Sequence, residues 1–157
     1  MKNEKTNVTR LLDQAKIPYT VHSFHDRVIT KGTDLAGAMS VNPEVMYKTL
    51  VTVGKSSQHY VFVVPVEKEL DLKKAAKAVN EKSIEMIPQK DLLPLTGYVH
   101  GGCSPVGMKK KFITTIEESS LQQKTILVSA GKIGCSVELS PADLISFVDG
   151  KTADLTV

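Results

Sequence analysis

The residues best suited to chemistry lie in a glycine-rich stretch that covers residues 97–111. Gly101 and Gly102 have no Cβ, so the main chain there can adopt positive φ and come close to a ligand. Ser104 precedes Pro105, a pair typical of an extended or turn segment, and three consecutive lysines end the stretch. An open backbone beside cationic side chains suits an anionic ligand whose reactive end lies against main-chain groups. The alternative is a tight turn followed by a solvated lysine patch.

Two polar side chains in otherwise apolar segments are further candidates. Lys48 lies near the start of a predicted strand that is apolar on both sides of it. Its ammonium could stand at a pocket rim and contact a phosphate or carbonyl oxygen; the alternative is an edge lysine that reaches out to solvent. Ser129 ends another predicted strand, with Gly131 two residues later. Its hydroxyl would lie beside a glycine opening, or it would only cap a turn.

Metal, cofactor and cysteine chemistry have little support in the sequence. His22 and His25 are three residues apart, a spacing that sends their side chains to opposite faces of a strand. No second cluster of metal-ligating residues accompanies them, and no phosphate-loop or nucleophile-elbow pattern is present. Cys103 and Cys135 are too few for a disulfide framework. We therefore expect no metal and no cofactor, and a buried inert thiol at each cysteine.

Hydrophobic periodicity and turn residues predict alternating helices and strands that would hold these groups. Helices are predicted at residues 7–16, 33–39, 71–79, 88–93 and 140–147. Strands are predicted at residues 19–24, 46–53, 60–65, 84–87, 112–116, 125–128, 135–139 and 152–157. Many of the connections resemble hairpins. The pattern therefore predicts a mixed α/β (α+β) fold with a largely antiparallel sheet rather than a doubly wound one.

Length and charge restrict the function classes further. The chain has 157 residues, which predicts a single domain over residues 1–157. A net charge of +3 does not indicate a general nucleic-acid coat, so such contacts must rest on local lysine patches, at residues 73–77 or 109–111. No apolar run approaches the roughly 20 residues of a membrane span, and the N-terminal segment lacks an export signal. These features predict a cytoplasmic protein without membrane contact.

Three segments taken together resemble one protein family. They are Tyr-Lys-Thr-Leu at residues 47–50, the stretch at 96–107 with its Gly-Gly-Cys-Ser-Pro core, and residues 128–138 with Ser-Ala-Gly-Lys. In this order and spacing they are similar to the YbaK/EbsC group of editing domains associated with prolyl-tRNA synthetase. The resemblance runs from about residue 9 to residue 143. It implies a free-standing deacylase with a mixed α/β fold around a curved, barrel-like sheet and surrounding helices.

The resemblance also implies roles for individual residues. The residues it implies to be catalytic are Lys48, Gly101 and Ser129. The residues it implies to bind substrate are Phe24, Met46, Thr49, Gly102, Ser104, Pro105 and Gly131. Many relatives carry a tyrosine where this chain has Phe24, and Cys103 occupies a position that is often aliphatic.

The implied activity is hydrolysis of cysteine from tRNA for proline, with cysteinyl-tRNA for cysteine as a lesser substrate. In the mechanism that the resemblance suggests, the substrate's own thiol attacks the ester carbonyl. The implied partners are the aminoacylated 3′ end of tRNA and, in a complex, prolyl-tRNA synthetase. Three alternatives stay open: a module that binds the tRNA 3′ end or a small anion without turnover, a deacylase for another amino acid, and a cell-surface or regulatory partner.

Overall fold

The computed structural model describes residues 5–23 and 43–157. Within these ranges the chain forms four α-helices and eight β-strands, joined by short 3₁₀ turns. The helices are α1 (Asn7–Gln14), α2 (Leu72–Val79), α3 (Leu92–Thr96) and α4 (Pro141–Phe147). The helix predicted at residues 33–39 lies outside the described residues. None of the helices within them has the length and apolar character that a bilayer crossing requires.

The strands form two sheets. They are β1 (Thr20–Ser23), β2 (Tyr47–Gly54), β3 (His59–Pro65), β4 (Ile84–Met86), β5 (Ile113–Glu117), β6 (Ile126–Lys132), β7 (Cys135–Leu139) and β8 (Lys151–Ala153). One sheet has the order β1-β7-β6 and the other the order β4-β2-β3-β5-β8. All neighbouring pairs are antiparallel except β3–β5 and β5–β8, which are parallel. The prediction of a mixed α/β fold with largely antiparallel strands is confirmed.

The two sheets meet edge to edge at the start of β2. An isolated parallel bridge pairs Met46 with Leu127 of β6, and no other bridge joins the sheets within the described ranges. The described strands do not close into a barrel. In place of the curved, barrel-like sheet that we expected, the described strands form two open sheets that are joined by a single backbone bridge. Their common inner faces are packed by one apolar cluster, which includes Val63 and Ile116 from one sheet and Val128 and Val137 from the other.

The helix ends follow the local sequence closely. Thr6 caps α1 by accepting a hydrogen bond from the Thr9 N–H. Asp71 caps α2 by accepting from the main-chain N–H groups of Lys73 and Lys74, and Asn80 in the left-handed conformation ends that helix. Ser140 caps α4 just before a proline at its first position. These helices were predicted because their caps and apolar faces are local signals.

The outer face of the five-stranded sheet is covered by α2 and by the C-terminal residues. Phe62 and Val64 of β3 pack there against Ala75, Ala76 and Leu155. Inner-face and outer-face residues alternate along each strand, because successive side chains of a strand point to opposite sides. The same alternation places Lys48 on the outer face, since it pairs across the sheet with Val64.

Candidate active site

Lys48 and Ser129 are brought together by the bridge between the sheets. The bridge pairs Met46 with Leu127 in parallel, and Lys48 and Ser129 each lie two residues further along the same strands. Alternation therefore puts both side chains on the side where Met46 and Leu127 form a small apolar cluster. Beyond the bridge, β2 continues along β3 and β6 continues along β7. The two candidate residues thus share one face of the strands at the point where β2 and β6 part, and we call this place the opening between the sheets.

The Lys48 side chain is well placed to contact a ligand. It is half-buried, and its outer-face neighbours Met46 and Val64 are almost completely buried. Within residues 5–23 and 43–157 we find no hydrogen bond or ion pair of its ammonium group. An ammonium held over an apolar floor keeps its three donors for an oxygen that enters the opening.

The Ser129 hydroxyl is held by the backbone of the same hairpin. Its oxygen accepts a hydrogen bond of 3.1 Å from the N–H of Gly131, which leaves its own proton to be donated. Gly131 has a φ of +99°, and a Cβ there would lie 3.1 Å from Tyr98 Cε1 and 3.2 Å from Val8 Cγ2. Only glycine avoids both the backbone strain and the crowding. Gly131 therefore holds the Ser129 hydroxyl in place, and direct substrate contact by Gly131 stays a prediction.

The glycine-rich stretch packs against the turn between β6 and β7, and its two glycines have different surroundings. A Cβ on the buried Gly102 would lie 3.0 Å from the Cα of Lys132 and 3.1 Å from the N of Ile133. The Gly102 N–H donates to the carbonyl of Val99 at 3.0 Å, so that donor is already used. Gly101 is exposed, with a φ of +87°. Of the pair, Gly101 has the more exposed main chain, and substrate contact by Gly102 stays a prediction.

Ser104 and Pro105 shape this loop from inside. Ser104 is fully buried, and its hydroxyl oxygen accepts from the N–H of Val106 at 3.2 Å. The Tyr98 hydroxyl donates to the carbonyl of the same Val106 at 2.5 Å. Pro105 is buried as well. Direct substrate contact by these two residues stays a prediction, and their burial favours an indirect role.

The remaining predicted substrate residues fall in three different settings. Met46 is 3% exposed and forms part of the floor beside Lys48. Thr49 points to the opposite face of β2, where its Oγ1 is buried without a hydrogen-bond partner among the described residues. Phe24 lies outside the described residues. Met46 is therefore the one that the structure brings close to Lys48 and Ser129.

A polar row beside Ser129 was missed in the sequence. Ser129 pairs with Ser136 of β7, and Ser136 pairs in turn with His22 of β1, so the three side chains share one face. His22 Nε2 lies 2.9 Å from Glu138 Oε1, and the Thr125 hydroxyl donates to Glu138 Oε2 at 2.6 Å. The Thr125 bond, followed by that of His22, lowers the pKa of Glu138 below its usual value. The pairing of β1 with β7 joins residues over a hundred positions apart, which no local signal could reveal.

The His22–His25 pair gives no metal site that can be assessed, because His25 lies outside the described residues. Within the described part of the chain, no group of three or more histidine, cysteine, aspartate or glutamate side chains could hold a metal ion.

Both cysteines are buried thiols in the apolar core. Cys103 is 8% exposed and Cys135 is 1% exposed. Burial raises the pKa of the Cys103 thiol to about 12, so it is protonated near neutral pH. A nucleophilic cysteine needs the opposite, a thiolate stabilised by positive charge and open to substrate.

We expect replacement of both cysteines by alanine to change the rate of the deacylation that the resemblance implies by no more than about twofold, because both thiols are buried. Cys103→Ala and Cys135→Ala each remove a small buried group, so the melting temperature is measured beside the rate. A loss of activity in a variant that keeps its fold would assign a chemical role to an enzyme thiol.

Comparison with known proteins identifies the family. Residues 28–147 match the model of the aminoacyl-tRNA editing domain. The chain is 42% identical to EbsC of Enterococcus faecalis, a proposed Cys-tRNA(Pro)/Cys-tRNA(Cys) deacylase, over 98% of this chain and 94% of that protein. The resemblance to the YbaK/EbsC group is thereby confirmed.

Two solved structures share the fold at low identity. A candidate trans-editing enzyme for prolyl-tRNA synthetase superposes with a TM-score of 0.83 at 21% identity, covering 98% of this chain and 99% of that one. A hypothetical protein superposes with a TM-score of 0.89 at 18% identity, covering 97% of this chain and all of the other. From the domain match and the close relative together, the chain belongs to the aminoacyl-tRNA editing domain family.

Proposed function

We propose that this protein is an aminoacyl-tRNA deacylase that removes cysteine from tRNA for proline, with cysteinyl-tRNA for cysteine as a lesser substrate. The observation that carries the proposal is the placement of Lys48, half-buried and in register beside Ser129 at the opening between the sheets. The proposed activity of the 42% identical relative supports the choice of amino acid.

The reaction needs positioning more than a strong enzyme nucleophile. An aminoacyl ester is already activated, so its cleavage depends mainly on orientation and on stabilising the oxyanion that develops at the carbonyl. Lys48 would hold a phosphate or ribose oxygen of the terminal adenosine. The Ser129 hydroxyl would donate its free proton to the ribose or the ester, and the main chain at Gly101 would lie against the aminoacyl group.

In this proposal the nucleophile comes from the substrate. The cysteine thiol gives up its proton, its sulfur forms a bond to the ester carbonyl carbon, and the bond between that carbon and the ribose oxygen breaks. The ribose oxygen takes up one proton, which releases free tRNA and a strained four-membered thioester. Water then opens the thioester to cysteine. The first step is an intramolecular cyclisation and the second a hydrolysis, so the net result is ester hydrolysis.

The proposed site has few polar groups, so the protein needs a partner to select among tRNAs. Lys48, Gly101 and Ser129 address only the terminal aminoacyl-adenosine, which every aminoacyl-tRNA shares. We therefore propose that discrimination among tRNA bodies depends on a complex with prolyl-tRNA synthetase in the cytoplasm, where a second binding site raises the effective concentration.

The test is release of free tRNA by the pure protein from radiolabelled Cys-tRNA(Pro). Cys-tRNA(Cys) and correctly charged Pro-tRNA(Pro) are measured in parallel, with spontaneous hydrolysis subtracted. We expect the pure protein to cleave Cys-tRNA(Pro) and Cys-tRNA(Cys) at similar rates and to leave Pro-tRNA(Pro) intact. With prolyl-tRNA synthetase added, we expect Cys-tRNA(Pro) to be cleaved fastest. Tight binding of Cys-tRNA(Pro) without release would show a binding module instead, and faster release of another amino acid would show a different specificity.

A further inference from the structure

The base of the glycine-rich loop carries three exposed lysines at residues 109–111. The main-chain N–H of Lys109 donates to the carbonyl of Thr96 at 2.8 Å. A Cβ on Gly97 would lie 3.8 Å from the Cβ of Lys109. Residues 97–108 therefore leave and return to the same place, with the lysines at the base of the loop and Gly101 within it. One short loop thus joins Gly101, a predicted site residue, to a positive surface formed by Lys109, Lys110 and Lys111, which we call the lysine patch.

The lysine patch keeps most of its charge for a partner. The ammonium of Lys111 lies 3.7 Å from a carboxylate oxygen of Asp149, and these side chains are 77% and 85% exposed. An ion pair this exposed and this long contributes little and exchanges readily for another anion. Lys109 and Lys110 have no hydrogen bond or ion pair from their ammonium groups to any residue within the described ranges. The patch therefore suits a partner with several closely spaced negative charges.

Two exposed apolar side chains accompany the loop: Val99 lies within it and Ile133 packs beside Gly101. Val99 is 46% exposed and Ile133 is 39% exposed. A Cβ on Gly101 would lie 3.5 Å from Ile133 Cγ1, so this surface reaches the exposed glycine. Unpaired nucleotides present both a charged backbone and apolar base faces, and proteins bind them with a positive track beside apolar or aromatic side chains. An acidic protein surface could pair with the lysines but would leave Val99 and Ile133 without a partner.

We propose that the lysine patch binds the phosphates of the unpaired 3′ end of tRNA while the terminal aminoacyl-adenosine occupies the site at Lys48, Gly101 and Ser129. The inference rests on the proposed function and adds the part of the tRNA that lies upstream of the ester. The loop then has two roles, since its interior contacts the reacting end and its base contacts the backbone that leads to it.

The test compares two triple variants that lose the same charge. Lys109→Gln, Lys110→Gln and Lys111→Gln together remove the lysine patch. As the control, Lys55→Gln, Lys68→Gln and Lys82→Gln remove three exposed lysines that lie outside both lysine-rich segments, 73–77 and 109–111. Affinity for unacylated tRNA is measured across a salt series, so the readout does not depend on turnover. For the patch variant we expect the dissociation constant to rise about tenfold or more and the salt slope to fall by about 2, as expected for three lost contacts to single-stranded phosphates.

The control variant is expected to bind tRNA as the unmodified protein does. An unchanged tRNA affinity in the patch variant, or an equal loss in the control, would overturn the proposal. If the patch variant kept its tRNA affinity but no longer bound prolyl-tRNA synthetase, the proposal would be wrong and the lysine patch would be a protein interface. If the triple change impairs folding, the single variant Lys110→Glu, at an exposed position, gives the same comparison.

A short substrate separates this inference from the proposed function. Cysteinyl adenosine carries the ester but none of the upstream phosphates. In the patch variant we expect kcat/KM for Cys-tRNA(Pro) to fall at least about tenfold more than kcat/KM for cysteinyl adenosine. Only the longer substrate reaches the lysines. Equal losses on both substrates would contradict the phosphate role. Failure of the unmodified protein to cleave either ester would refute the deacylase function, and the tRNA affinities would still decide the role of the patch.

Discussion

Replacing Lys48 with alanine is expected to lower kcat/KM for Cys-tRNA(Pro) by about 30- to 1,000-fold while the fold is kept. A charge-assisted contact that strengthens as the ester breaks is worth on the order of 2–4 kcal/mol, and each 1.36 kcal/mol is a factor of ten in rate. Lys48 is half-buried beside a nearly buried apolar floor, which strengthens such a contact relative to one in water. Single-turnover release of tRNA gives the rate constant directly.

A matched control uses another lysine of the same hairpin. Lys55 is exposed in the turn after β2, so Lys55→Ala removes the same charge away from the opening. We expect its rate to stay within about twofold of the unmodified protein. Circular dichroism and melting temperature establish that the Lys48 variant is folded. Near-normal turnover in a folded Lys48→Ala protein would remove this residue from the mechanism.

The second large effect concerns the side chain of the substrate. If the substrate thiol is the nucleophile, Ser-tRNA(Pro) and Ala-tRNA(Pro) should be cleaved at least about a hundredfold more slowly than Cys-tRNA(Pro). Serine is nearly isosteric with cysteine, but its hydroxyl is a far weaker nucleophile, and alanine has none. A pocket that selected by size alone could discriminate by only about 1–3 kcal/mol for one small group. The rates are measured on the same tRNA transcript charged with each amino acid.

Serine is the decisive comparison, because it changes the nucleophile with little change in volume. Equal rates for serine and cysteine would point to a positioned water molecule as the nucleophile. That outcome would contradict thiol assistance and leave the deacylase assignment in place. Trapping the released acyl group as a thioester, before water opens it, would give independent support for the cyclisation.

The structure separates what short-range sequence signals can predict from what they cannot. The caps at Asp71 and Ser140 act over two or three residues, and the helices they begin were predicted nearly to the residue. Lys48 and Ser129 were identified one at a time, and a resemblance grouped them. Their common face became visible only when the bridge at Met46 fixed how the strands align.

The missed features depend on contacts between distant parts of the chain. The sequence predicted a strand at β1 but gave no reason to place it beside β7, so the row from Ser129 to His22 was not anticipated. Gly102 was interpreted as a ligand-facing residue because glycine permits close approach by any group. In the structure the backbone at Lys132 lies where a Cβ of Gly102 would point, and a substrate contact by this glycine stays a prediction. Glycine alone does not say what approaches it.

The single bridge between the sheets has a mechanical consequence. Hydrogen-bonded ladders fix the relative position of neighbouring strands, whereas apolar packing has no preferred direction and tolerates small sliding. Lys48 belongs to one ladder and Ser129 to the other, and within the described ranges one bridge beside them is the only backbone link. A shear of the two sheets across their shared core would therefore change the gap between these side chains while every strand stayed paired. If Lys48 and Ser129 contact the ester as proposed, such a shear would change the distance between the two contacts without rearranging the strands of either sheet.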